Sequence, residues 1–124
     1  MEYTISQAAN KMKLTPSTLR YYEKEGLLNI NRSKKGIRCF SEKDMEWIST
    51  LCCLKETGMS IKEIRQYCNL CMQGEETLAE RLEMFTNHKE YILNEIEELK
   101  KHLSKINKKI DYYKIEIGSI KVKG

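Results

Sequence analysis

The 124-residue sequence predicts a mainly α fold: a winged helix-turn-helix head followed by one long coiled-coil helix. Three observations predict it. Two short capped helical segments with a tight turn between them open the chain. A stretch without helical period follows, rich in Asn, Ser and Gly and ending in alternating residues. From Leu78 to Ile117 apolar residues recur at steps of three and four, with neither Pro nor Gly in the way.

The first helix is read as Ile5 to Met12. Thr4 and Gln7 form a capping box, in which hydroxyl and amide each satisfy a backbone N–H. Ile5, Ala8, Ala9 and Met12 share one stripe. After a turn near Lys13–Leu14, Thr15-Pro16 opens the second helix. Thr suits the N-cap, and Pro suits the first helical position because its missing N–H is not needed there. That helix runs to about Glu25 and stops at Gly26. Leu27 to Phe40, with Asn29, Asn31, Ser33 and Gly36, reads as a small β-hairpin wing. Its basic tip is Arg32, Lys34 and Lys35, and it ends in the alternating Ile37-Arg38-Cys39-Phe40. Ser41 with Asp44, and Ser60 with Glu63, start a third and a fourth helix, which end at Gly58 and near Gly74.

The long segment has apolar residues at 78, 82, 85, 92, 96, 99, 103, 106, 110, 113 and 117, with the polar Lys89 filling the one gap. About 40 residues at about 1.5 Å each give a rod on the order of 60 Å. A head of some 75 residues cannot cover such a seam, and the chain holds no second long helix. A second copy is therefore the expected partner, meeting Leu82, Phe85, Ile92, Ile96, Leu99, Leu103, Ile106 and Ile110. The expected division is a head at 1–74, a dimerisation helix at 75–117 and a flexible tail at 118–124.

Net charge is +4, unevenly spread: residues 1–38 hold eight basic and three acidic side chains, so a polyanion would be met at the N-terminal end. The opening residues lack a basic run followed by an apolar core, and no apolar stretch reaches membrane length. A soluble, cytoplasmic protein with no membrane association is expected. Five cysteines, an odd number, exclude a complete disulfide framework. No Ser/His/Asp set, phosphate-cradling loop or carboxylate pair points to an enzyme, and no catalytic residue, metal or cofactor is assigned. A dithiol oxidoreductase using Cys68 and Cys71 is the best enzymatic rival. A coiled-coil adaptor without DNA binding is another, but it leaves the basic wing without a purpose.

Near the start of the second helix, Thr15, Ser17, Thr18, Arg20 and Tyr21 are hydrogen-bonding side chains, while Leu19 suits the inside. An Arg there can fork onto a guanine edge or a phosphate, and hydroxyls suit phosphate oxygens. The string from Leu14 to Leu28, LTPSTLRYYEKEGLL, resembles the signature of the MerR family of bacterial transcription regulators. The wing end Gly36–Phe40 and the segment Leu54–Ile64 match it too, so the resemblance runs from Tyr3 to about Tyr113.

The resemblance implies a homodimer joined by an antiparallel coiled coil on a palindromic promoter operator. It implies bending and untwisting of that DNA, so that RNA polymerase engages both promoter elements. Arg20 and Arg38 match DNA contacts of the family; Tyr21, Tyr22 and Lys55 match phosphate contacts. Phe40 stands where the family often has Tyr and cannot donate to a phosphate. Contacts to phosphate would offset the elastic cost of a bent duplex, roughly a few kcal/mol.

The chain ends just after the coiled coil, so no separate ligand-binding domain is expected. Metal sensing is disfavoured: no Cys follows Cys71, and Cys68-x-x-Cys71 shares a stripe with Ile61 and Ile64, which suits small buried hydrophobes. His88 and His102 flank the seam as interfacial polar residues. Cys39 and Cys52 read as packing residues. Cys53 differs, because its helical neighbours are Glu46, Ser49, Thr50, Glu56 and Thr57, a polar face. The segment Trp47–Lys55 resembles the AdhR/NmlR-like branch that responds to aldehyde and nitrosative stress. The resemblance puts Cys53 at that branch's sensor cysteine. A small ligand or metal at the dimer interface is the alternative signal.

Overall fold

The computed structural model describes residues 1–123. The chain divides into two units, a head Met1–Met84 and a second unit that starts at Phe85. The head thus extends ten residues past the expected boundary at 74.

Helix α1 is Ile5–Met12, closed at its start by the reciprocal Thr4–Gln7 box. It ends where Lys13 adopts the left-handed region, φ 58°, which lets Leu14 N–H return to Ala9 O at 2.8 Å. Helix α2, Pro16–Lys24, follows, with Thr15 Oγ1 accepting from Thr18 N–H at 3.1 Å. The wing is two short antiparallel strands, β1 (Asn31–Arg32) and β2 (Arg38–Cys39), with Arg32 opposite Arg38. Its turn needs Gly36, at φ 79°. Just past β2, Phe40 pairs with Tyr3 through two backbone hydrogen bonds of 2.8 and 2.9 Å.

Helix α3 is Glu42–Glu56, behind a Ser41–Asp44 capping box. Helix α4 is Ile61–Gln73, capped by Ser60 on Glu63 N–H. Helix α1 packs against α2 and α3, and α3 against α4. The largest fully buried side chains are Leu19 of α2, Leu27, Phe40, Ile48 and Leu51 of α3, and Ile64 of α4. Each comes from a different turn or element, so burying them fixes the small helices on one another.

A 3-10 turn, Glu75–Thr77, leads into α5, Leu78–Lys123. The corner is a closed polar knot. Buried Thr77 donates to Leu70 O at 2.6 Å; Arg81 donates to Thr77 Oγ1 at 3.0 Å and to Gly74 O at 2.6 Å. That knot carries the head into the first turns of α5. At its far end α5 runs through Gly118 to Lys123, where a flexible tail was expected. Gly costs a helix about 1 kcal/mol, and Ile120, three residues after Ile117, continues the apolar repeat past the expected end at 117. Gly124 of the expected tail lies outside the described residues.

Candidate nucleic-acid interface

The face of α2 away from Leu19 is open. Thr15, Ser17 and Arg20 are exposed, Thr18 is half-buried, and Tyr21 is 48% exposed. Among the described residues, Arg20 and the wing-tip Lys34 and Lys35 have no ion-pair partner, so their charges face solvent. Thr15 and Thr18 are only 2.9 Å apart, Oγ1 to Oγ1, which leaves each hydroxyl part of its capacity for an outside acceptor. Several donors and a free guanidinium therefore gather at the first turns of a short helix, where unpaired backbone N–H groups already favour anions.

Arg38 is placed differently. It is half-buried, and its Nε donates to Glu23 Oε1 at 2.9 Å. The same oxygen accepts from Arg32 Nη2 at 3.3 Å, while Arg32 Nη1 donates to Gly36 O at 3.1 Å. One carboxylate of α2 thus holds two arginines of the wing. This clamp was missed in the sequence, where Arg32 was read only as part of the basic tip. Arg38 keeps further guanidinium N–H groups for a second acceptor.

Tyr22 is buried rather than presented to solvent. Burial pushes its phenol up, with Cys52 and then Tyr21 adding to the shift. Phe40, where a hydroxyl would be foreign, is sealed in the core. Lys55 is exposed near the end of α3.

The stretch after α2 is pinned from below by α3 and α4. Trp47 Nε1 donates to Leu27 O at 2.7 Å, and its ring stacks on Tyr67 with centroids 5.5 Å apart. Arg65 donates to Glu25 O at 2.8 Å and to its carboxylate at 2.6 Å. Cys68 Sγ approaches Leu27 O at 3.7 Å. Burial pushes the Tyr67 phenol up to about 12, helped by a hydrogen bond shared with Cys71.

The five thiols are all free. Cys53 is exposed on α3, as its polar neighbours implied, and its carbonyl accepts from Thr57 Oγ1 at 2.7 Å. Cys39 and Cys52 are half-buried; burial pushes the Cys52 thiol up, and Glu56 adds to it. Cys68 is half-buried too. Cys71, expected among the buried small hydrophobes, is exposed, because the last turn of α4 borders an open cavity. His88 stacks on Tyr91 with centroids 5.9 Å apart.

Along α5 the apolar seam is bare in the single chain. Leu82 is 70% and Leu99 65% exposed, and Ile96, Leu103, Ile106 and Ile110 are exposed as well; Phe85 and Ile92 are half-buried. A contiguous bare stripe of this length marks an interaction surface. Among the described residues, no helix is long and apolar enough to cross a membrane.

Residues 3–71 match the family described as MerR HTH family regulatory protein. An uncharacterised HTH-type transcriptional regulator of Haemophilus influenzae is 41% identical over 98% of this chain and 92% of its own. The HTH-type transcriptional regulator AdhR of Bacillus subtilis is 33% identical over 72% of this chain and 64% of its own. Among solved structures, HiNmlR, a MerR family regulator lacking the sensor domain and bound to promoter DNA, superposes with a TM-score of 0.87. It is 42% identical and covers 92% of this chain and 91% of its own. A match over more than half the chain, together with relatives this similar across nearly its whole length, establishes that the chain belongs to the MerR family and is a DNA-binding transcriptional regulator, not an enzyme.

Proposed function

We propose that the chain acts as a homodimer on a palindromic promoter operator. Two copies join their α5 helices as an antiparallel coiled coil along Leu82, Phe85, Ile92, Ile96, Leu99, Leu103, Ile106 and Ile110. Each copy then offers one α2 to the major groove. Arg20 reads base edges or the adjacent phosphate; Thr15, Ser17, Thr18 and Tyr21 grip the backbone. Arg38 and the wing-tip lysines hold flanking phosphates, and Lys55 holds one nearer the operator centre. Tyr22 acts from within the core, by setting the pose of Tyr21 and Arg20. Bending and untwisting the operator activates transcription, and RNA polymerase is engaged through the DNA.

The observation that carries this reading is Arg20, exposed and without an ion-pair partner among the described residues, set among donors on the open face of α2. HiNmlR, bound to promoter DNA, supports it by similarity. The test is a gel-shift titration of Arg20→Ala alongside sedimentation. Operator binding should be lost while the dimer persists; wild-type affinity in that variant would remove the basis of the reading.

For the signal, exposed Cys53 is the favoured sensor of an aldehyde or an oxidant, with adduct formation biasing a two-state dimer. The resemblance of Trp47–Lys55 to the AdhR/NmlR-like branch supports it. Operator-dependent transcription with Cys53→Ser should stop responding to either challenge; an unimpaired response moves the signal to a ligand or metal at the dimer interface.

A further inference from the structure

Helix α4 holds a second thiol arrangement that the operator reading does not use. Cys68 and Cys71 are free and one helical turn apart, so their Cβ atoms lie about 5–6 Å from each other. Both line one cavity of about 320 Å³, together with Leu27, Asp44, Trp47 and Tyr67. Two Cβ–Sγ bonds can converge across that gap onto a single thiophilic atom. The stacked Trp47 and Tyr67 rings add an aromatic wall beside it.

The donor count narrows the ligand. Among the described residues, no group of three or more His, Cys, Asp or Glu is placed to hold a metal ion. Structural zinc wants four ligands and is not served here. Trivalent arsenic carrying one carbon substituent needs only two more bonds, and an apolar substituent has the aromatic wall to lie against. We infer that Cys68 and Cys71 form a chelating site for a trivalent organoarsenical, with the substituent in the cavity against Trp47 and Tyr67.

The chemistry is a condensation. An arsenoxide R–As=O meets two thiols; two As–S bonds form, the As=O bond breaks, and its oxygen leaves as water carrying both thiol protons. Arsenic stays trivalent, and nothing is oxidised or reduced. Capture takes Cys68 Sγ away from Leu27 O, which also accepts from Trp47 and lies just after α2.

The test uses the reduced full-length chain with one equivalent of phenylarsine oxide and no DNA, so it stands apart from the operator reading. Intact mass should show one phenylarsenic group bound with loss of water, surviving excess glutathione but released by dimercaptopropanol. Emission of Trp47, the single tryptophan, should shift on binding. Cys71→Ser, at an exposed position, should weaken capture about a hundredfold, the loss expected when a chelate becomes a single thiol. Cys68→Ala should do the same, while Cys52→Ser and Cys53→Ser leave capture and the emission change intact. No capture, capture that survives Cys71→Ser, or capture that follows Cys52 and Cys53 would each overturn the assignment.

Discussion

Replacing Glu23 by alanine should unfasten the wing from α2. One oxygen of that side chain accepts from Arg38 at 2.9 Å and from Arg32 at 3.3 Å. Glu23 and Arg38 are 22% and 23% exposed, so their pair is only partly screened; Arg32, at 45%, is screened more. Such pairs contribute roughly 0.2–1 kcal/mol each, with the less exposed one nearer the top. The two together come to about 1 kcal/mol, which for a head of this size is about 4–8 °C in melting temperature. The assay is thermal unfolding of Glu23→Ala, Arg38→Ala and the double variant. Coupling should appear as a double variant less destabilised than the sum. The change also frees two guanidiniums, so binding to non-specific duplex should strengthen and depend more steeply on salt. Strict additivity in the cycle, or a salt slope unchanged by Glu23→Ala, would refute the clamp.

Other perturbations test separate parts of the molecule. In the proposed dimer, Leu103→Asp places a charge in the seam of both copies; losing a packed Leu costs about 2–5 kcal/mol per copy, so sedimentation should show dimer dissociation raised at least about a thousandfold. Gly118→Ala should raise the melting temperature of the rod, because an added Cβ meets nothing within 4 Å and Ala exceeds Gly in a helix by about 1 kcal/mol; a drop would mean that a second helix approaches there. Tyr67, pushed up to about 12, stays neutral when folded while its unfolded counterpart ionises near 10. Its stabilising share is whole below pH 10 and is lost as pH rises toward 12. Denaturant midpoints of Tyr67→Phe between pH 9 and 11.5 should fall less steeply than those of the wild type, and parallel curves would exclude Tyr67 as a source of the loss.

The local devices were legible in the sequence because they act over three or four residues. Thr4 with Gln7, Thr15 before Pro16, Ser41 with Asp44 and Ser60 before Glu63 each occupy the position their spacing predicts. The seam was legible for the same reason, as a period repeated many times. Pairings across the fold left no such trace. Glu23 meets Arg38 across 15 residues and Arg65 meets Glu25 across 40, and any of several neighbouring charges would have read as well. Tyr22 is a phosphate contact only by the family resemblance, and α2 turns it to the buried side with Leu19. Cys71 shows the reverse failure. Its spacing put it on the stripe of Ile64 and Cys68, but periodicity cannot say where the covering neighbours stop. Gly118 was read as an end, although a single Gly is too small a penalty to interrupt a repeat that Ile120 resumes.

The pairing of Tyr3 with Phe40 turns the head into a ring. The third residue of the chain supplies the rung that shuts the base of the wing, and its hydroxyl donates to Glu42 at 2.7 Å. A fragment stopping at residue 30 would hold both opening helices and their caps but lack the closure, and should exchange its amide hydrogens like a frayed peptide. On that outcome the two-helix motif is not a portable module.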